Sequence, residues 1–285
     1  MQKYKTDWYL YYLINVTLII LVSFPIYWAF VSSIKPPDEL ITNTPTLFPI
    51  NPTFESYERI WNLEPTSSRG NVRSAFTNSA IVSIGTVVVS AVISTLAAYA
   101  LTILRTPFRN FIFLLIIMPI LIPGISLLIP LYKLVKELGL MNSYLGLILI
   151  HSTGMLTLGV FLMRNAFMSI PTSLREVALL EGSSELRIMF TVMLPLAIPG
   201  LLTLMVFALY GSWNDFILAF LFVNTIDMEM LNVFLMKLTF SGSQFDTFWG
   251  LLNAGAIISF VPIIIFYIFL QQYFVRGVTG SAVKE

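Results

Sequence analysis

Six stretches of this sequence, at about 8–34, 76–101, 110–132, 144–163, 198–222 and 249–271, are predominantly apolar for 20 residues or more. The hydrocarbon core of a bilayer is about 30 Å thick and takes roughly 20 helical residues to cross. Inside it each backbone N–H and C=O needs a partner within the protein, which a helix supplies from its own segment. The runs predict an all-α integral membrane protein with six transmembrane helices, a single transmembrane domain over residues 1–285. Composition agrees: 57% of the residues are hydrophobic and 11% charged, against about 25% charged in soluble proteins. A net charge of +1 with no basic cluster gives no footing for nucleic acid, and the lack of cysteine removes disulfides, thiol nucleophiles and thiolate metal sites. The first run is too long for the apolar region of a signal peptide and has no small-x-small cleavage site beyond it, so it is expected to stay in the mature protein.

Between the fourth and fifth runs, at about 164–195, lies a segment that is polar yet helix-patterned. Pro171 suits the first turn of a helix, where a missing N–H costs nothing. Leu174, Val177 and Ala178 recur at helical spacing and are expected on one face, with Arg175, Glu176 and Glu181 directed elsewhere. Gly182 can take the left-handed conformation that ends a helix, and Ser183 or Ser184 can cap a second short helix through 185–190. Pro195 and Pro199 punctuate the entry to the next run. The expected product is a helix–Gly–helix elbow at a membrane surface, with small Ala178 as a knob for a groove on a partner.

The pattern Glu176-x-Ala178, then Gly182, then Val192-x-Leu194-Pro195, resembles the EAA loop of permease subunits in binding-protein-dependent ABC importers. The full spacing from Glu176 to Pro195 is kept. Val177 stands where alanine is usual, Glu181 where aspartate is common and Val192 where isoleucine is frequent. In that family the loop is the mechanical joint to a cytoplasmic ATPase. The resemblance therefore implies a coupling role for Leu174, Glu176, Val177, Ala178, Glu181, Gly182, Leu194 and Pro195.

Other segments extend the resemblance to nearly the whole chain, in the carbohydrate-uptake branch to which the second permease of maltose transporters belongs. Phe24-Pro25-Ile26-Tyr27-Trp28 with Ser32, Ser33 and Lys35 is similar to the first-span signature of sugar-importer permeases. Residues 48–57, in the long polar stretch 35–73, resemble an extracytoplasmic motif; physically they read as a turn and a short helix with Phe54, Tyr57 and Trp61 on one face. That piece reads equally as a lid on the spans or as a contact for a binding protein. Ser90, Ser94 and Ala98, four apart, form a small-residue stripe that lets helices approach closely. Pro119, Pro123, Gly124 and Pro130 mark the third run as kinked packing or a broken helix. His151, with no His, Cys or carboxylate near it in sequence, reads as a hydrogen-bonded residue of the bundle rather than a ligand or base.

Trp213-Asn214-Asp215-Phe216 in the fifth run is also similar to the family. A carboxylate within a span normally faces the bundle interior or water, so Trp213, Asn214 and Asp215 are candidates for the substrate path. Trp213 would stack on a sugar ring, and the rival role for Asp215 is a structural anchor hydrogen-bonded to another subunit. Residues 223–248 read as a polar outer loop, and the Ser-Gly-Ser-Gln run at 241–244 is a decoy of an ATPase signature, because the chain has no G-x-x-x-x-G-K-[ST] phosphate loop. The tail from Gln272 to Lys284 matches the family's C terminus.

Lys3, Lys5, Arg105, Arg109, Arg164, Arg175, Arg187, Arg276 and Lys284 fall in segments assigned to the inner side, about nine of 16 cations. Both termini and the elbow are accordingly expected in the cytoplasm, with the chain multi-pass in the inner membrane. The resemblance implies a second homologous permease, two cytoplasmic ATPase subunits, an extracytoplasmic solute-binding protein and surrounding lipid. ATP and Mg belong to the ATPase partners, and no catalytic, cofactor or metal site is expected on this chain. The implied activity is ATP-driven import of a sugar or oligosaccharide by alternating access; a non-sugar solute such as glycerol phosphate is the alternative. An ion-coupled secondary transporter would need an internal repeat and more ionisable groups within the spans than Asp215. An intramembrane enzyme would need a nucleophile–base or metal set that one histidine and no cysteine do not provide.

Overall fold

The computed structural model describes the backbone of residues 2–42, 44–104, 106–240 and 245–279, and their side chains except at 2–7, 240, 245–248, 270 and 272–279. Arg105, the run at 241–244 and Lys284 lie outside the described residues, as do the side chains of Lys3, Lys5, Asp246 and Arg276. Among the described residues every regular element is a helix. In chain order these are α1 (Gln2–Ser33), α2 (Pro37–Leu40), α3 (Glu55–Trp61), α4 (Val72–Thr102), α5 (Arg109–Ile117), α6 (Leu128–Glu137) and α7 (Tyr144–Met168). After them come α8 (Thr172–Leu180), α9 (Glu185–Ile188), α10 (Leu194–Leu196), α11 (Ile198–Trp213), α12 (Ile217–Phe222), α13 (Leu231–Phe240) and α14 (Phe245–Thr279).

Trp8–Ser33, Val72–Thr102, Tyr144–Met168 and Trp249–Phe269 are each long and apolar enough to cross a membrane as one helix. Two further stretches meet that test only as bent pairs: Arg109–Leu121 with Gly124–Glu137, at 98°, and Glu185–Leu196 with Ile198–Trp213, at 79°. The third run is thus broken rather than merely kinked. Pro119 and Pro123 have no N–H to donate, and 3₁₀ turns at Met118–Leu121 and Gly124–Leu127 replace the α-helix there. The fifth run is interrupted too, since α11 stops at Trp213 and α12 begins at Ile217.

Two other boundaries differ from expectation. Residues 164–168 belong to α7 rather than to the coupling loop. Met163 and Phe167 are fully buried there, and the Arg164 guanidinium lies 4.2 Å from the centre of the Phe113 ring, within cation–π range. The stretch 223–248 is not simply a polar outer loop, because it contains α13. Leu231, Phe234 and Leu238 recur on one buried face of that helix, while the charges that suggested a loop flank or punctuate it.

The chain divides into two compact units. In the unit made of Met1–Arg73 and Phe234–Val261, α3 buries Ser56 and Ile60, whereas Phe54 and Trp61 are exposed. Tyr57, between them, is half-buried with its hydroxyl 2.7 Å from the Ser33 hydroxyl, so the expected aromatic face is packed only in part. Trp61 instead lies 5.3 Å beneath the Arg73 guanidinium. Gly250 and Gly255 of α14 let Ser56 and Leu235 come so close that a Cβ would collide. Glu39 ties the following loop: it accepts from the Thr46 hydroxyl at 2.5 Å and the Ile50 N–H at 3.0 Å. Burial pushes the Glu39 carboxyl up, but those bonds and nearby Lys35 outweigh it and hold it below the ordinary glutamate range.

In the unit made of Ser74–Val233 and Pro262–Glu285, a core of Tyr99, Met163, Phe167, Ala178, Ile188, Met193 and Leu204 gathers α4, α7, α8, α9 and α11. Ser90, Ser94 and Ala98 are buried along one side of α4 as their spacing predicts. Gly159 of α7 sits against Ser94, with no room for a Cβ. Gly159→Leu is expected to lower stability by about 1–3 kcal/mol through overpacking, read as the thermal unfolding midpoint in detergent. Gly154→Ala, at a position with open space, serves as the near-neutral control.

Candidate functional site

Pro171, in an extended conformation, precedes α8. At the other end Gly182 donates to the Leu179 carbonyl and Ser183 to the Ala178 carbonyl, each at 3.0 Å, with Gly182 at φ +80°. Nothing lies within 4 Å of the position a Gly182 Cβ would take. Glycine is thus required by the left-handed backbone rather than by space. Of the two serines proposed as caps, Ser184 is the one used, its hydroxyl accepting from the Arg187 N–H at 3.4 Å. A π-helical turn at Met189–Met193 and then Pro195 in α10 lead into α11.

The face expected to carry Leu174, Val177 and Ala178 together is split. Ala178 is 9% exposed and packs into the chain's own core, so it is not a protruding knob. Leu174 is exposed, Val177 is 54% and Leu180 89% exposed. Glu176, Glu181 and Pro195 are exposed as well, and Leu194 packs half-buried against the core.

Arg175, expected to point away, reaches across the elbow to Glu185. Its Nε donates to Glu185 Oε2 at 3.3 Å and its Nη2 to Oε1. This is the two-pronged, charge-assisted geometry that a guanidinium offers a carboxylate. The bond to Glu185 raises the Arg175 pKa above its ordinary value. The Tyr99 hydroxyl of α4 donates to the same Oε2 at 3.0 Å. The Tyr99 ring is buried edge-on to Phe167, with centroids 5.5 Å apart. Opposite charges on either side of a glycine turn were a usable sign of the Arg175–Glu185 pair. Tyr99 lies 86 residues from Glu185, and no local pattern points to it.

The second candidate set lies at the break in the fifth run. Trp213 is buried, its ring T-shaped to that of Phe76 with centroids 5.4 Å apart. Its indole is packed rather than offered to a sugar ring. Asn214 is exposed and donates to the Tyr210 carbonyl at 3.1 Å. Asp215 lies in the non-helical link and receives the first free N–H groups of α12, from Leu218 at 3.3 Å and Ala219 at 2.9 Å. His151 Nε2 lies 3.7 Å from Asp215 Oδ2. His151 therefore does have a carboxylate beside it, and the arrangement has the form of an anchor between α7 and α12. Asn232 adds to it, donating to the carbonyls of Trp213 at 2.9 Å and Asp215 at 3.3 Å.

Residues 90–280 match the family of binding-protein-dependent transport system inner membrane components. The chain belongs to that family. Members similar to it include the probable ABC transporter permease protein YurM of Bacillus subtilis, 31% identical over 266 residues, covering 93% of this chain and 85% of that one. The probable starch degradation products transport system permease protein AmyC of Thermoanaerobacterium thermosulfurigenes is 32% identical over 287 residues, covering 100% of both. Among solved structures, a chain of a bacterial ABC transporter involved in import of the acidic polysaccharide alginate superposes with a TM-score of 0.84. The superposition covers 96% of this family member and 98% of that chain, at 22% identity, and establishes a shared fold.

Asp215→Ala leaves two helix N–H groups without their acceptor and is expected to cost about 1 kcal/mol, the scale of a lost helix cap. Asp215→Asn, which keeps an oxygen in place, is expected to cost less. Thermal unfolding of the purified chain orders the two.

Proposed function

We propose that this chain is one permease subunit of an ATP-driven importer of sugars or oligosaccharides. It crosses the cytoplasmic membrane six times, each bent pair counting as one span, with both termini and the elbow inside the cell. Its partners in this reading are a second, related permease, two ATPase subunits that hold ATP and Mg, an extracytoplasmic binding protein and lipid. The sugar assignment is supported by the starch-product permease with which the chain aligns end to end and by the signatures of the first and fifth runs. The orientation is supported by the excess of Lys and Arg in the segments read as cytoplasmic.

One observation carries the coupling role. On α8, a short helix outside the long apolar runs, Leu174, Val177 and Leu180 are exposed beside Glu176 and Glu181. In this reading Leu174 and Val177 pack into a groove on the ATPase, and Glu176 and Glu181 meet cations at its rim. Ala178 fastens α8 to the bundle, Gly182 sets the angle, and Leu194 and Pro195 pass the motion into α11. ATP draws the two ATPase subunits together, each pulls the elbow seated on it, and the cavity turns from inward- to outward-facing. Of the three residues first considered for the substrate path, exposed Asn214 is the one this reading retains.

The lack of native cysteine makes the test clean. A single Val177→Cys, carrying a thiol-attached photocrosslinker in the assembled complex, is expected to crosslink to the ATPase on irradiation. Labelling of that cysteine from outside intact cells, or no crosslink from it in a complex that hydrolyses ATP, would contradict the assignment.

A further inference from the structure

An elbow that passes on a displacement must not fold up at its own bend. Gly182 has no side chain, and nothing lies within 4 Å of where its Cβ would stand. Beyond the two backbone bonds that close the turn, resistance has to come from side-chain bonds that straddle it. We propose that Tyr99, Arg175 and Glu185 form a clamp that makes the elbow rigid and carries its displacement into α4; this rests on the reading of α8 as the helix an ATPase grips. The three are positioning residues, since they act through α8 and α4 and touch no substrate.

The geometry is specific. One carboxylate receives donors from two other helices, Arg175 of α8 and Tyr99 of α4, and is itself the first residue of α9. The Arg175 and Glu185 side chains are 25% and 37% exposed, so solvent weakens the ion pair taken alone. Tyr99 is 3% exposed, and its ring is held against Phe167 in the core. A hydroxyl carried on an immobile ring fixes the carboxylate in a way that two surface charges do not. Ala178 and Ile188, buried in the same core as Tyr99 and Phe167, close the contact on its apolar side. Motion of α8 then reaches α4, whose Ser94 fits against Gly159 of α7, and so reaches the bundle instead of being absorbed at Gly182.

The test uses this chain assembled with its permease partner, ATPases and binding protein in liposomes. ATP hydrolysis is followed beside maleimide labelling of cysteines placed singly at Ile93, Leu96 and Tyr210, all exposed side chains on α4 and α11. In the parent complex ATP is expected to change labelling at one or more of these sites. Tyr99→Phe deletes one hydroxyl and keeps the ring, and Glu185→Gln keeps the shape and removes the charge. Each is expected to reduce the ATP-dependent change in labelling by about tenfold, the size of a lost hydrogen bond to a charged group, while hydrolysis continues and the ATPase stays bound. Arg175→Lys should recover part of what Arg175→Ala loses. An undiminished labelling change in Tyr99→Phe and Glu185→Gln would overturn the clamp and leave the coupling reading standing. Equal loss of hydrolysis and labelling would overturn it as well, marking the three residues as needed only for assembly. A parent complex that shows no labelling change, or retains no ATPase, would instead sink the reading of α8 on which the clamp rests.

Discussion

A buried backbone N–H or C=O left without a partner costs about 1–3 kcal/mol, and this chain interrupts the helices of its third and fifth apolar runs. Side chains answer at the breaks. The Thr157 hydroxyl donates to the Ile116 carbonyl at 2.8 Å beside the proline-rich interruption of the third run. Asp215 takes the first N–H groups of α12, and Asn232 bonds the carbonyls just before it. Asn78 donates to the carbonyls of Asp227 and Glu229 at 2.8 and 3.0 Å, while its own carbonyl accepts from the Tyr144 hydroxyl at 2.7 Å. The polar side chains at these breaks are thus fasteners. This is why so few of them read convincingly as a substrate path.

The elbow follows the same rule at the polar end of the bundle. Gly182 makes the turn, closed by two backbone bonds, and Glu185 with its two donors adds the side-chain link across it. Below them the core places Ala178 among residues of α4, α7 and α11. One side of α8 is bound to its own bundle and the other bears exposed Leu174, Val177 and Leu180. A helix with one bound side and one apolar exposed side is suited to passing force between two bodies. A freely hinged loop is not.

Much of this was legible beforehand, and the physical reason is length. An apolar run of 20 or more residues has few structural options, so α1, α4, α7 and α14 lie where their runs lie, with ends moved by a few residues. The glycine turn was legible because its conformation is nearly restricted to glycine. Prolines announced the trouble in the third run, but they say where an N–H is missing and not which neighbour compensates, so kink and break both stayed open in the sequence. The approach of His151 to Asp215 and of Tyr99 to Glu185 depends on how helices distant in sequence pack, and no periodicity encodes it. Ala178 was misread for a related reason: spacing shows which residues share a face, not whether that face meets a partner or the chain's own core.

The central claim is that the elbow and α4 move as one body. Spin labels at exposed Leu180 on α8 and exposed Leu96 on α4, in the assembled complex with and without ATP, measure this directly as a distance distribution. The account predicts the same distribution in both states while the complex as a whole changes conformation; a shift of several ångströms between those two labels, with the bend at Gly182 opening or closing, would contradict it.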